Sequence, residues 1–257
     1  MATYKKRGYK PKTREEQQNA AEEGSTTAEV FNTLDEGASK TEAWVARNQK
    51  YIFIIIGIAA LVILGYLAYE EFIQEPQETE AANEMFQAQQ YFDAALDASS
   101  AQSDSLFNLA LTGGQGKFGF IDIAENYGGT DAANLAHYYA GMAYLRTNQY
   151  QKAIQSLDQF ESDDQILGPL AKGAIGDAFL QLEQPEEALG YYEEAAGMKT
   201  NPFTTPRFLM KAALTAIQLE KGAAAEEYLN RIKEEFPDSP EARKVDVYLG
   251  QAVAMQR

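Results

Sequence analysis

The sequence predicts an all-α protein. One N-terminal helix is long enough to cross a membrane, and an α-solenoid of antiparallel helix pairs with a C-terminal capping helix follows it. Three observations carry this expectation. Residues 51–69, YIFIIIGIAALVILGYLAY, hold no charge. Beyond them, a pattern of small and large apolar residues returns about every 35 positions. Prolines next to hydroxylated or acidic residues punctuate that pattern where helices should begin.

Charge divides the 257-residue chain unevenly. The net charge is −16. Residues 1–50 hold nine Lys/Arg against eight Asp/Glu, whereas the remainder holds 13 against 30. An acidic main domain of this kind makes nucleic acid an unexpected partner for it. There is no cysteine, which excludes disulfides, thiolate nucleophiles and sulfur-ligated metals.

Residues 1–50 are expected to be a largely disordered basic and polar segment, because TREEQQNAAEEGSTTAE is too polar to bury a core. The arm Lys5–Arg14, with Tyr4 and Tyr9 interleaved, has the chemistry to touch anionic lipid or ribosomal RNA. Its plainer reading is a solvated tail that fixes topology. From Ala28 onward, Val30, Phe31, Leu34, Trp44 and Val45 suggest short amphipathic turns at a membrane surface, interrupted at Gly37.

The 19 uncharged residues of 51–69 would span about 28 Å as a helix, close to the hydrocarbon thickness of a bilayer. Trp44, Tyr51, Phe53, Tyr66, Tyr69 and Phe72 bracket the stretch like interfacial anchors. A buried core helix of this length would normally carry a polar face, and a signal peptide would not begin 50 residues in. Lys40, Arg47 and Lys50 precede the span, while Glu70, Glu71, Glu75, Glu78, Glu80 and Glu84 follow it, and no Lys or Arg returns until Lys117. The positive-inside rule then places the N-terminus in the cytoplasm and the acidic domain outside, in a bacterium the periplasmic side of the inner membrane.

Residues 70–116 are expected to be a membrane-proximal helix, from about Thr79 to Ala98, and a loop. Residues 117–257 form the repeat domain: a half repeat at 117–133, repeats at about 134–167, 169–203 and 206–239, and a capping helix at 240–257. The repeat is read from Gly141, Tyr144, Ala153, Leu157 and Phe160. Gly176, Phe179, Ala188, Tyr192 and Ala195 follow 35 positions later, and Ala213, Ala216, Ala225, Leu229 and Ile232 a further 37. This is about the tetratricopeptide period. Small residues at Gly141, Gly176 and Ala213 would let the first helix of each pair approach Ala153, Ala188 and Ala225 on the second. No pair buries its apolar face alone, so neighbours must stack. Pro185 with Glu186 and Glu187 opens one helix, and Thr205–Pro206 and Ser239–Pro240 each read as an N-cap followed by proline.

No catalytic constellation, metal cluster or cofactor motif appears. TGGQGKFG at 112–119 lacks the Ser or Thr a phosphate loop needs, since Phe118 follows Lys117, so its glycines read as a flexible connection. His137 is the only histidine and reads as structural. The adjacent acids Asp163–Asp164, Glu193–Glu194 and Glu226–Glu227 splay apart on a helix and read as solvated faces.

With YGGTDAANLAHYYAGMAYL and AIGDAFLQLEQPEEALGYYEEAA, the chain resembles the YfgM-type family over roughly residues 40–257. These are ancillary, non-catalytic tetratricopeptide subunits of the bacterial Sec translocon. The resemblance implies association with SecYEG and with a membrane-anchored periplasmic chaperone of the PpiD type, in contact with membrane lipids. The long cytoplasmic arm departs from it. A membrane-anchored scaffold of another envelope complex, in cell-wall or secretion machinery, is the competing class.

Such solenoids hold partners on the concave surface of their first helices. The stripe at spacings of three and four is Leu135, Tyr138, Met142, Leu145 and Arg146 in the first repeat. In the second it is Leu170, Asp177, Leu180 and Gln181, and in the third Arg207, Met210, Leu214 and Ile217. Part of this stripe is equally readable as core. As a groove it would be mixed apolar and polar with few positive charges, suited to a hydrophobic helix or extended segment rather than an acidic tail.

Overall fold

The computed structural model describes residues 26–256, with side chains from Thr41 onward, and separates the chain at Tyr69 into two units. The arm at Lys5–Arg14 lies outside the described residues. In the first unit, α1 (Thr26–Tyr69) is one continuous helix. The short turns expected around Gly37 are not what forms: helix runs through it. One glycine costs about 1 kcal/mol relative to alanine, which is too little to stop an established helix from propagating. Residues 51–69 make this helix long and apolar enough to cross a membrane. Ile55, Leu61, Val62 and Leu64 are exposed along it.

The second unit opens with a π-helical turn (Glu70–Gln74) and is helical to its end; no strand forms among the described residues. Its helices are α2 (Glu75–Asp97), α3 (Ser100–Thr112), α4 (Phe120–Asn126), α5 (Asp131–Arg146) and α6 (Tyr150–Asp158). There follow α7 (Leu167–Gln181), α8 (Pro185–Met198), α9 (Thr205–Gln218) and α10 (Gly222–Glu235). A 3₁₀ turn (Glu241–Lys244) and α11 (Val245–Ala254) close the chain, where one capping helix was expected.

Residues 100–112, expected as loop, are a helix, and 75–112 are part of the packed unit rather than a stalk beside it. Ala81, Met85, Ala88, Phe92 and Ala95 line one face of α2 at alternating spacings of four and three. They share a core with Phe107 and Leu111 of α3, Phe120 and Ile123 of α4 and Ala136 of α5. Phe92 meets Phe107 and Tyr139 edge-on at 5.3 and 5.1 Å, and Phe120 stacks on Tyr139 at 5.1 Å. The acidic side of α2 fastens the same unit. Glu78 accepts from the backbone N–H groups of Asp131 and Ala132 at 2.6 and 2.9 Å, capping α5 beside Thr130. Lys117 reaches Glu84 at 2.9 Å, and the Tyr127 hydroxyl donates to Glu80.

The glycine-rich segment 113–119 is an ordered turn instead of a flexible connection. Gly113 and Gly116 take positive φ, Lys117 N–H donates to Gly114 O at 3.0 Å, and a Cβ at Gly119 would sit 2.5 Å from the Leu111 carbonyl carbon.

The three helix pairs α5/α6, α7/α8 and α9/α10 stack in sequence. The expected close approach of Gly141 to Ala153 is present, and the small residues also make room for a large side chain. A Cβ at Gly141 would lie 2.8 Å from Leu157 Cδ2 and 3.2 Å from the Ala153 carbonyl. One at Gly176 would lie 2.6 Å from Tyr192 Cε1. Each glycine therefore admits the large side chain 16 positions on. Leu157, Tyr192 and Leu229 are all fully buried at that offset.

The turns repeat as well. Asn148, Glu183 and Glu220 each take φ near +60°. The next residue's N–H returns to Tyr144, Phe179 and Ala216 at 2.8, 3.0 and 2.8 Å, the bond that closes a left-handed helix C-terminus.

Pro185 opens α8 with Glu186 and Glu187 in its first turn, as expected. Thr205 is the first residue of α9 and not its cap: Asn201 Oδ1 accepts from the N–H groups of Phe203 and Thr204 at 2.9 and 2.8 Å. Ser239 Oγ accepts from Ala242 N–H at 3.2 Å. The paired acids are solvent-facing, as expected, Glu226 alone being half-buried, and several of them also act as ties. Asp164 caps α7 through the N–H groups of Leu167 and Ile166, which hold its carboxyl below the ordinary range. Glu194 pairs with Lys172 at 3.2 Å, Glu193 accepts from the Tyr228 hydroxyl, and Glu226 accepts from Gln256 at 2.8 Å. At the C-terminal end, α11 comes so close to α10 that a Cβ at Gly222 would lie 2.7 Å from Ala252 O.

Candidate partner-binding groove

The first helices of the three stacked pairs, α5, α7 and α9, border one cavity of about 700 Å³. From α5 it takes Tyr138, Met142, Leu145 and Arg146, at the i, i+4, i+7, i+8 positions of one helix face. From α7 come Leu170, Ala174, Asp177, Leu180 and Gln181, and from α9 Arg207, Phe208 and Lys211. Asn148, in the left-handed turn, and Tyr150, which opens α6, complete the rim.

The floor is apolar. Tyr138 packs on Phe160 with ring centroids 5.2 Å apart, and burial raises its hydroxyl pKa. The rim is hydrogen-bonding: the Tyr150 hydroxyl donates to Asn148 Oδ1 at 2.8 Å and lies 3.4 Å from Gln181 Oε1.

The centre is polar and satisfied. Asp177 Oδ2 accepts from Lys211 Nζ at 2.7 Å, while the Tyr192 hydroxyl donates to its Oδ1 at 2.7 Å. Lys211 also stands 5.4 Å over the Tyr192 ring. Burial first, then the Asp177 charge and hydrogen bond, push the Tyr192 pKa far above the tyrosine range. Arg207 lies 5.3 Å over the ring of Phe203, and Arg146 is exposed.

Of the residues expected to form a groove, the cavity gathers Tyr138, Met142, Leu145, Arg146, Asp177, Gln181 and Arg207, with Leu170 and Leu180. Four others are elsewhere. Leu135 packs into the core on both sides of α5, and Met210 and Ile217 are buried in the core of α9. Leu214 is 39% exposed and does not line the cavity.

Lys211 takes the place expected of Leu214. Repeat arithmetic puts Leu214 opposite Asp177, but Lys211 is one helical turn earlier, four residues after Arg207 on the same stripe. The small rotation between successive repeats carries a concave surface diagonally across its helices. That shift also changes the groove's charge, which holds three cations, Arg146, Arg207 and Lys211, against Asp177. His137 is half-buried, and burial lowers its pKa; it borders a separate hollow with Thr130 and Asn134.

Two segments match known families. Residues 174–240 match a family described as Tetratricopeptide repeat, and residues 135–163 match a second family of the same description. No curated protein matches the chain, and no solved structure does. The matched segments coincide with the stacked pairs that border the groove, and the chain therefore carries tetratricopeptide repeats.

Proposed function

We propose that this chain is a non-catalytic, membrane-anchored interaction protein that holds a partner segment in the groove of α5, α7 and α9. The observation that carries the reading is one cavity shared by the first helices of three consecutive repeats, on a chain that also has a membrane-length helix. A solenoid uses its concave face this way because repeats present a continuous surface that no single helix pair offers.

The finer reading draws on the sequence. The Lys/Arg excess before the span puts residues 1–50 in the cytoplasm and the repeat unit in the periplasm. The resemblance to YfgM-type subunits makes SecYEG the assembly and a PpiD-type chaperone the partner, acting together on translocating proteins.

Purification from detergent-solubilised membranes tests it. SecY and a parvulin-like chaperone are expected to come down with the tagged chain. Recovery of a different envelope assembly in their place would identify a scaffold of that complex and end the translocon reading. Protease added to spheroplasts should digest residues beyond about Phe72 and spare a fragment containing Lys5 to Lys50; the reverse pattern would overturn the topology.

A further inference from the structure

We propose that the hollow beside His137, at the start of α5, is a recognition site for a guanidinium group, the arginine side chain of a partner protein. It is separate from the groove: no residue lines both cavities.

The hollow holds about 400 Å³ between the Gly128–Gly129 turn, the start of α5 and the segment that follows α6. Asn134 ties its two sides together. The Asn134 side-chain amide donates to Glu161 O at 2.7 Å, and Glu161 N–H donates to Asn134 Oδ1 at 2.9 Å. Glu78 takes the N–H groups of Asp131 and Ala132, and Thr130 takes those of Ala133 and Asn134. The first turn of α5 therefore has no backbone donor left, and an anion finds nothing to bind there.

Acceptors are what remain. Among the described residues the Asp131 and Glu161 carboxylates form no ion pair, and neither the His137 ring nor the Gln159 amide forms a hydrogen bond. No Lys or Arg lines the hollow. Burial lowers the His137 pKa, so the ring is neutral near pH 7 and keeps one nitrogen as an acceptor. Two carboxylates and a neutral imidazole call for a cation with several N–H groups. A guanidinium carries five in a planar fork, whereas an ammonium is a compact charge that gives up its water less readily. The volume lies at the low end of ligand-sized pockets and suits one long side chain.

The approach is open as well. Gly129 takes a φ of +89°, which favours glycine, but Gly128 does not take a positive φ. A Cβ at Gly128 would meet nothing within 4 Å, so packing does not demand glycine there; its small size leaves the entrance clear. Asp158 and Asp164 stand in sequence on either side of Glu161, and their charge favours the arrival of a cation.

His137 is the only histidine, so one ring reports on the hollow. Full-length protein in non-ionic detergent micelles, isotope-labelled in its histidine ring, is titrated with the blocked tripeptide glycine-arginine-glycine and followed by NMR. Copies with citrulline, the uncharged counterpart, or lysine in place of arginine serve as comparison. The arginine peptide is expected to move the His137 signals saturably, and the other two to bind roughly tenfold more weakly. Asp131→Asn with Glu161→Gln should weaken the arginine peptide by roughly tenfold, while Glu186→Gln with Glu187→Gln, which removes the same charge elsewhere, should not. Gln159→Trp crowds the hollow from an exposed position without altering its charge, and should abolish the response in a protein whose circular dichroism matches the parent.

Absence of a saturable shift with the arginine peptide overturns the proposal. Equal binding of the citrulline or lysine peptide does so too, as does equal weakening by both double variants. Gln181→Trp, at the rim of the groove, should leave the response intact; its loss there would move the arginine to the groove and overturn the assignment to this hollow.

Discussion

Asp177 of α7 and Lys211 of α9 join successive repeats, with Nζ 2.7 Å from Oδ2, and the Tyr192 hydroxyl of α8 donates to the same carboxylate. One carboxylate thus serves two donors from two other helices. The pair is partly exposed, so its charge attraction alone is worth about 1 kcal/mol or less. Removing Asp177 does more, because it leaves a buried tyrosine hydroxyl and an ammonium without their acceptor. Asp177→Ala is expected to cost about 1–3 kcal/mol and Lys211→Ala distinctly less, since Asp177 keeps Tyr192. Denaturant titration of both variants checks the order; equal costs would show that the tyrosine contributes nothing.

Glycines in the repeats are expected to fall into two classes. At Gly176 an added Cβ would lie 2.6 Å from the buried Tyr192 ring, and Gly173 is set closer still against the Phe208 ring. Alanine at either position should destabilise the domain by about 1–3 kcal/mol, and Gly176→Leu by more. Gly190 of α8 has nothing within 4 Å of its would-be Cβ. There alanine should stabilise by about 0.5–1 kcal/mol through helix propensity alone. Melting by circular dichroism distinguishes the two classes.

The left-handed turns store strain. Glu183 and Glu220 hold φ of 59° and 56°, where a side chain costs energy that glycine avoids. Glu183→Gly and Glu220→Gly should each raise stability by about 1 kcal/mol, opposite in sign to most glycine substitutions. A lower melting temperature for both would mean that the carboxylates matter more than the backbone.

Alkaline pH should weaken the fold. Tyr192 and Tyr228 have pKa values raised by burial first, and then by Asp177 and Glu193 respectively. A raised folded value means the native state keeps a proton that the unfolded chain gives up. The associated stability is complete below the ordinary tyrosine pKa of about 10 and is lost as pH rises toward the folded value. Above about pH 10 the unfolding free energy should therefore fall by up to about 1.4 kcal/mol per pH unit for Tyr192. In Tyr192→Phe that contribution to the slope should vanish, as denaturant midpoints measured across the range would show; an unchanged slope would exclude Tyr192 as its source.

The sequence by itself determined the period and the faces. Gly141, Gly176 and Ala213 recur because a helix pair needs small residues where a large side chain enters, and a 3.6-residue helix fixes which positions share a side. The charge-free run of 51–69 and the opening of α8 at Pro185 were legible for similarly local reasons. The buried stripe of α2 was also present, at Ala81, Met85, Ala88, Phe92 and Ala95, but α3 begins with a polar run, SAQSDS, that reads as loop until the core of α2 covers its apolar end.

Tertiary structure alone decided which polar tips meet. Glu78 reaches the backbone of Asp131 across 53 positions, and Asp177 takes Lys211 where the repeat points to Leu214. Periodicity states which side of a helix is buried, but a contact between side chains on different helices depends on crossing angles and on the rotation added at each repeat. Those angles arise from how whole faces pack, and no local run of residues encodes them.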